Sequence, residues 1–160
     1  MTTLLHVAAS PRGAASESRA IAETFLEAYG MTHPGDEVVE WDLWDGTLPA
    51  FGPPAAAAKM AVFAGAEPQG DAARAWRAAI DAFRRFDAAD GYLFSVPMWN
   101  AGVPYILSAD FQRPFFDDWL RWAGIDDITS IDFRPDLATA DADTGRRAAH
   151  AAARDAGKTF

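Results

Sequence analysis

The chain has 160 residues, 14 basic and 23 acidic side chains for a formal charge of −9, and no cysteine. That length suits one domain able to bury its own core, and without thiols neither disulfides nor thiolate metal sites are available. The acidic balance disfavours nucleic acid and anionic membrane surfaces, which need clustered Lys and Arg. No apolar run approaches the roughly 20 residues of a membrane span, and the N-terminus lacks the basic flank and separate apolar core of a signal peptide. A cytoplasmic, single-domain protein spanning residues 1–160 is the expectation.

Residues 4–8, Leu-Leu-His-Val-Ala, are a short apolar run that breaks at Ser10-Pro11-Arg12-Gly13, the pattern of a buried strand. From Ser16 to Tyr29 the larger apolar residues Ile21, Phe25, Leu26 and Tyr29 recur at helical spacing, with Gly30 as the expected stop. Residues 38–43 make a second, more polar strand suited to a place nearer a sheet edge. Residues 48–70, rich in Pro, Gly and Ala, read as a long connection with one helical turn over 55–63.

A helix is predicted over 71–86, with Trp76, Ile80 and Phe83 on one face. The strand that follows, Gly91 to Val96, reads as buried on both faces. It breaks at Pro97 and delivers Met98, Trp99 and Asn100 at its carboxyl end. The next helix starts near Pro114, well placed at a first helical position. It carries Phe115, Phe116, Trp119, Leu120 and Trp122 and stops at Gly124. Residues 128–133 alternate as a final strand, and 143–156 form a last helix. Strands alternating with helices give an α/β fold class: a doubly wound parallel sheet with helices on both faces.

Ligands in open α/β sheets bind in the crevice outside the carboxyl ends of the strands, so two junctions matter. At the first, Ser10 is followed by a Gly-containing turn and by Ser16-Glu17-Ser18 opening a helix. That arrangement offers backbone N–H groups, three hydroxyls and a helix dipole to an anion. The plain alternative is a loop with an N-capping serine. The loop is neither a Walker loop nor Gly-x-Gly-x-x-Gly, which disfavours a dinucleotide bound in the Rossmann manner. At the second junction Met98 and Trp99 would wall a flat heteroaromatic ring, with Asn100 at its polar edge. A core Trp–Met cluster is the alternative there. Taken together, the two junctions place a phosphate near Ser16 with its attached ring in reach of Trp99.

Ser10-Pro11-Arg12 with Ser16-x-Ser18, then Pro97-Met98-Trp99-Asn100, resemble the two flavin loops of the FMN-dependent NADH azoreductases, also described as NADH:quinone oxidoreductases. The run from Asp110 to Ile125 resembles the helix before that family's last strand. The resemblance implies a flavodoxin-like fold and FMN as cofactor, with NAD(P)H as co-substrate and a quinone or azo acceptor. It also implies a homodimer with active sites at the subunit interface. Ser10, Ser16, Glu17 and Ser18 would lie at the FMN phosphate, and Pro97, Met98, Trp99 and Asn100 would line the ribityl chain and the isoalloxazine. No side chain is implied as an obligatory acid or base.

The family pattern continues after Asn100 with a helix, a strand and a glycine-bearing loop. Here Val103-Pro104-Tyr105-Ile106-Leu107 begins that helix, and Ser108-Ala109-Asp110-Phe111 already belongs to the next. Two outcomes are open. In one, the last strand moves over to pair with Gly91–Val96. In the other, a segment is missing between Ile106 and Phe111, where an intact chain keeps successive Cα atoms about 3.8 Å apart. The second is favoured, because Tyr105-Ile106-Leu107 stops partway through a helical pattern with no capping residue.

His6 falls inside the first strand as a hydrogen-bonded core imidazole, and no spacing joins it to His33 and His150 as a metal site. Trp76, Trp119 and Trp122 are assigned to core or subunit interface, and Trp41 and Trp44 are left open. The leading expectation is a flavin enzyme that moves a hydride. The alternatives are a flavodoxin-like FMN carrier without NADH turnover and a cofactor-free dimerising domain, since fold does not guarantee function.

Overall fold

The computed structural model describes residues 1–97, 112–135 and 141–160. Met98, Trp99 and Asn100, and the junction between Ile106 and Phe111, lie outside the described residues. The chain forms two compact units, residues 1–23 with 30–97 and residues 24–29 with 98–160.

In the first unit, β1 (Thr3–Ala8), β2 (Glu37–Asp42) and β3 (Gly91–Ser95) form a parallel sheet in the order β2-β1-β3. The central strand is the most apolar one: Leu4, Leu5 and His6 are the largest fully buried side chains among the described residues. Burying each leucine contributes about 1.5–3 kcal/mol. Because side chains alternate across a strand, Leu5 and Val7 share one face with Trp41. Ala82 and Phe86 of α3 (Gly70–Asp87) pack onto that face, together with Tyr92 and Phe94 of β3. The Tyr92 ring stacks on Phe86 at 4.4 Å, and its hydroxyl donates to the carbonyls of Phe86 and Ala89 at 3.1 and 3.2 Å. One side chain thereby fixes the turn that leads α3 into β3. Leu4, His6 and Ala8 occupy the opposite face, where Arg19 of α1 (Glu17–Thr32) reaches Glu40 of β2 at 2.6 Å. A third helix, α2 (Pro53–Phe63), packs along α3.

In the second unit, α4 (Gln112–Trp122) closes at Gly124, whose φ of +88° is open to glycine. The last helix, α5 (Ala142–Thr159), is capped by the Asp141 carboxylate, which accepts from the Thr144 N–H at 2.9 Å. It lies close against residues 24–29: a Cβ added at Gly157 would collide with the Phe25 carbonyl oxygen.

Several expectations are corrected. Helix α1 runs through Gly30 to Thr32, because one interior glycine costs only about 1 kcal/mol whereas Pro34 is a true stop. Residues 55–63 are not a single turn but most of an 11-residue helix, started by prolines that fit a first turn and carried by alanines of high propensity. Phe83 is 61% exposed, and Ala82 and Phe86 face the core instead. A surface already bearing Trp41, Tyr92 and Phe94 is met by small Ala82 and by the flat ring of Phe86, which stacks on Tyr92. Strand β3 is not buried on both faces, since only Ser95 is fully covered; among the described residues β3 is an outer strand of the sheet. Residues 125–135 carry no regular structure, so the predicted final strand over 128–133 does not form. Alternation makes a strand only where a sheet edge accepts its hydrogen bonds. Of the two places open to Trp119 and Trp122, the core is excluded, since they are 46% and 84% exposed, while Leu120 of α4 is buried.

Candidate functional site

The three strands among the described residues are parallel, so their carboxyl ends share one rim. Ala8 stands opposite both Asp42 and Ser95 in the two ladders. The Leu43 N–H donates to the Ala8 carbonyl at 3.0 Å, and the Ala9 N–H donates to the Ser95 carbonyl at 3.1 Å. The segments leaving β1 and β3 therefore start side by side, joined by a main-chain hydrogen bond.

The segment after β1 is compact. Gly13 turns the chain at φ +51° and leads into a short 3-10 turn, Gly13–Ala15, closed by the Ser16 N–H donating to the Gly13 carbonyl at 3.1 Å. Ser16 is extended and stands just before α1. Its Oγ accepts from the Arg19 N–H at 3.4 Å and lies 3.1 Å from the Ser18 Oγ. This is the place where a helix needs a cap, because its first four N–H groups have no intrahelical carbonyl. Ser10 folds back so that its Oγ accepts from the Arg12 N–H at 3.4 Å. Ser10 and Ser16 are both buried, Ser18 is half-buried and the Glu17 side chain is exposed. Pro97, two residues past Ser95, is half-buried at the neighbouring corner.

The sequence-predicted residues are thus brought together in part. Ser10, Ser16, Glu17 and Ser18 share one loop and helix start, and Pro97 follows the adjacent strand. Two more residues reach this rim without having been picked out. The first is Trp44, 60% exposed, whose indole N–H donates to the Ala9 carbonyl at 3.0 Å. Trp41 belongs to the core, with the Arg85 guanidinium over its ring at 4.7 Å. The second is Ser95, whose Oγ is 2.9 Å from Nε2 of the buried His6. Nδ1 of His6 faces Glu40 Oε2 at 3.6 Å, and Glu40 in turn pairs with Arg19. Burial outweighs the nearby carboxylates and holds the His6 pKa below its ordinary value.

A parallel sheet with a serine-lined turn feeding a helix N-terminus at its carboxyl rim defines a doubly wound, mononucleotide-type α/β protein. The comparisons with known proteins agree. Residues 2–113 match the family described as having a flavodoxin-like fold. An FMN-dependent NADH:quinone oxidoreductase of Ruegeria pomeroyi is 30% identical over 193 aligned residues, covering 91% of this chain and 95% of that protein. One from Burkholderia lata is 27% identical over 210 aligned residues, covering the whole of both. Set against a 160-residue chain, that alignment contains about 50 positions with no residue here. Among solved structures, an azoreductase from Bacillus anthracis superposes with a TM-score of 0.83 at 20% identity over all of both chains. The chain belongs to the flavodoxin-like family of the FMN-dependent NADH:quinone oxidoreductases.

Proposed function

We propose that this protein is an FMN-dependent oxidoreductase that moves a hydride from NAD(P)H, by way of FMN, to a quinone or azo acceptor. The observation that carries this is the rim: the serine turn and the segment after β3 begin one ladder apart, tied from Ala9 to Ser95. The donor set fits a phosphate monoester. Paired hydroxyls at the positive end of a helix hold an anion without basic side chains, and the space beside Gly13 is open, with nothing within 4 Å of where a Cβ would lie. FMN, when bound, supplies the two-electron chemistry, and the protein supplies position and electrostatics.

Ser10, Ser16 and Ser18 donate to the phosphate, and Glu17 contributes its main-chain N–H. Pro97, Met98, Trp99 and Asn100 line the ring and ribityl chain, with Trp99 as the stacking wall. The protein acts as one cytoplasmic domain over residues 1–160. Among the described residues no helix is long and apolar enough to cross a membrane. It works as a homodimer, a reading supported by exposed Trp44, Phe51 and Phe63 in the first unit and by Phe115, Trp119 and Trp122 in the second.

The test is steady-state oxidation of NADH by FMN-loaded protein with a benzoquinone as acceptor. Turnover is expected. Bound FMN without turnover would favour the carrier alternative, which draws on the family positions that this chain lacks.

A further inference from the structure

Leu4, Leu5 and Val7 show what the middle of the central strand favours, yet His6 stands among them and is completely buried. Burying an imidazole is costly unless its nitrogens find partners. Among the described residues one nitrogen finds a hydrogen-bond partner and the other faces a carboxylate, each on a flanking strand. Ser95 of β3 holds Nε2 at 2.9 Å, while Glu40 of β2 lies 3.6 Å from Nδ1, too far for a hydrogen bond but close enough to favour a proton there. With the proton on Nδ1, Nε2 accepts and the Ser95 hydroxyl donates. The order Ser–His–Glu is that of a nucleophilic triad. Ser95, however, is 4% exposed beneath the sheet surface, where no carbonyl substrate reaches its oxygen. The arrangement therefore orients rather than attacks.

Ser95 is held at two points. Its hydroxyl is bound to His6, and its carbonyl accepts from the N–H of Ala9, the first residue of the serine turn. Pro97 and the proposed ring-binding residues follow directly. We infer that His6 is a positioning residue for the cofactor site: by fixing Ser95 from inside the sheet, it sets the two segments that meet at the rim. The groups facing it are Ser95 from β3, Glu40 from β2, and Arg19 and Glu23 from α1, with Asp42 of β2 completing the ion cluster around Arg19. This inference rests on the FMN reading above.

The experiment is a fluorescence titration of FMN against the full chain and four variants: Ser95→Ala, His6→Leu, His6→Gln and the double variant His6→Leu/Ser95→Ala. Thermal melts of each are recorded alongside. Ser95→Ala and His6→Leu should each weaken FMN binding by about tenfold, the scale of one well-placed hydrogen bond. The double variant should be no weaker than the worse single, because both remove one coupled contact. His6→Gln, which can still accept from Ser95, should recover affinity to within about threefold of wild type. A purely structural His6 would lower the melting temperature in His6→Leu while Ser95→Ala bound FMN like wild type, and that result overturns the inference. If His6→Leu fails to fold, Ser95→Ala and His6→Gln still decide it. A wild-type chain that takes up no FMN overturns the functional reading and this inference together; binding unchanged across the variants overturns this inference alone.

Discussion

Ser16 does two jobs that a pair of substitutions can separate. Its hydroxyl caps α1 by accepting from the Arg19 N–H, and it lies 3.1 Å from the Ser18 hydroxyl at the proposed phosphate site. Replacing a capping serine with alanine costs about 0.5–2 kcal/mol, but with glycine only a few tenths. In a chain of this size about 1 kcal/mol moves the melting temperature by roughly 2–4 °C. A hydrogen bond to a charged group contributes about 1.5–3 kcal/mol, which is about 10- to 150-fold in affinity. Ser16→Ala should therefore melt a few degrees lower and bind FMN at least about tenfold more weakly. Ser16→Gly should melt close to wild type and lose the same affinity. Circular dichroism melts and a flavin titration measure the two effects. If Ser16→Gly binds FMN as tightly as wild type, the hydroxyl is only a cap and the phosphate assignment is wrong.

Gly157→Ala should destabilise the second unit. The new Cβ would collide with the Phe25 carbonyl oxygen and press on Ala28 Cβ at 3.2 Å. Overpacking of this kind typically costs about 1–3 kcal/mol, and a chemical denaturation midpoint equal to wild type would contradict it. The pH dependence of stability follows from His6. Its folded pKa is lowered, chiefly by burial, so the unfolded chain binds a proton more readily below the ordinary imidazole value of about 6.5. The His6 contribution is thus complete above that value and is lost as pH falls through the folded pKa. The denaturation midpoint of wild type should drop more steeply than that of His6→Gln on acidification below about pH 6.5, and parallel curves would refute this. Trp44→Phe removes the indole N–H that donates to the Ala9 carbonyl. It should lower the melting temperature by a few degrees at most and weaken FMN by a few-fold at most, since an exposed neutral hydrogen bond contributes about 0.5–1.5 kcal/mol.

Features written into adjacent residues were the legible ones. The strand β1 and its serine turn stand out because an apolar run ends at a Pro-Gly break, and the long helices α1, α3 and α5 because their apolar or charge spacing is sustained. The helix α2 was legible only as one turn over residues 55–63, because a run of alanines has no apolar periodicity, only propensity. The strand expected over residues 128–133 failed for the opposite reason: its alternation was present, but pairing is a property of the sheet and no described neighbour accepts it. In the site, the serines after β1 were legible through their crowding at a helix start. The His6–Ser95 contact was not, since 89 residues separate the partners and only the β1–β3 register brings them together. Trp41 and Trp44 could not be told apart from spacing alone. The first lies within β2 facing Leu5 and Val7, and the second lies beyond its end, on the rim.

The central claim is that hydroxyls and main-chain amides at this rim hold a flavin by its phosphate. Calorimetric titration of the purified chain with FMN, and separately with riboflavin, addresses it most directly. One equivalent of FMN should bind, with riboflavin at least about tenfold weaker for want of the charge-assisted contacts. No uptake of FMN, or equal affinity for the two flavins, would contradict it.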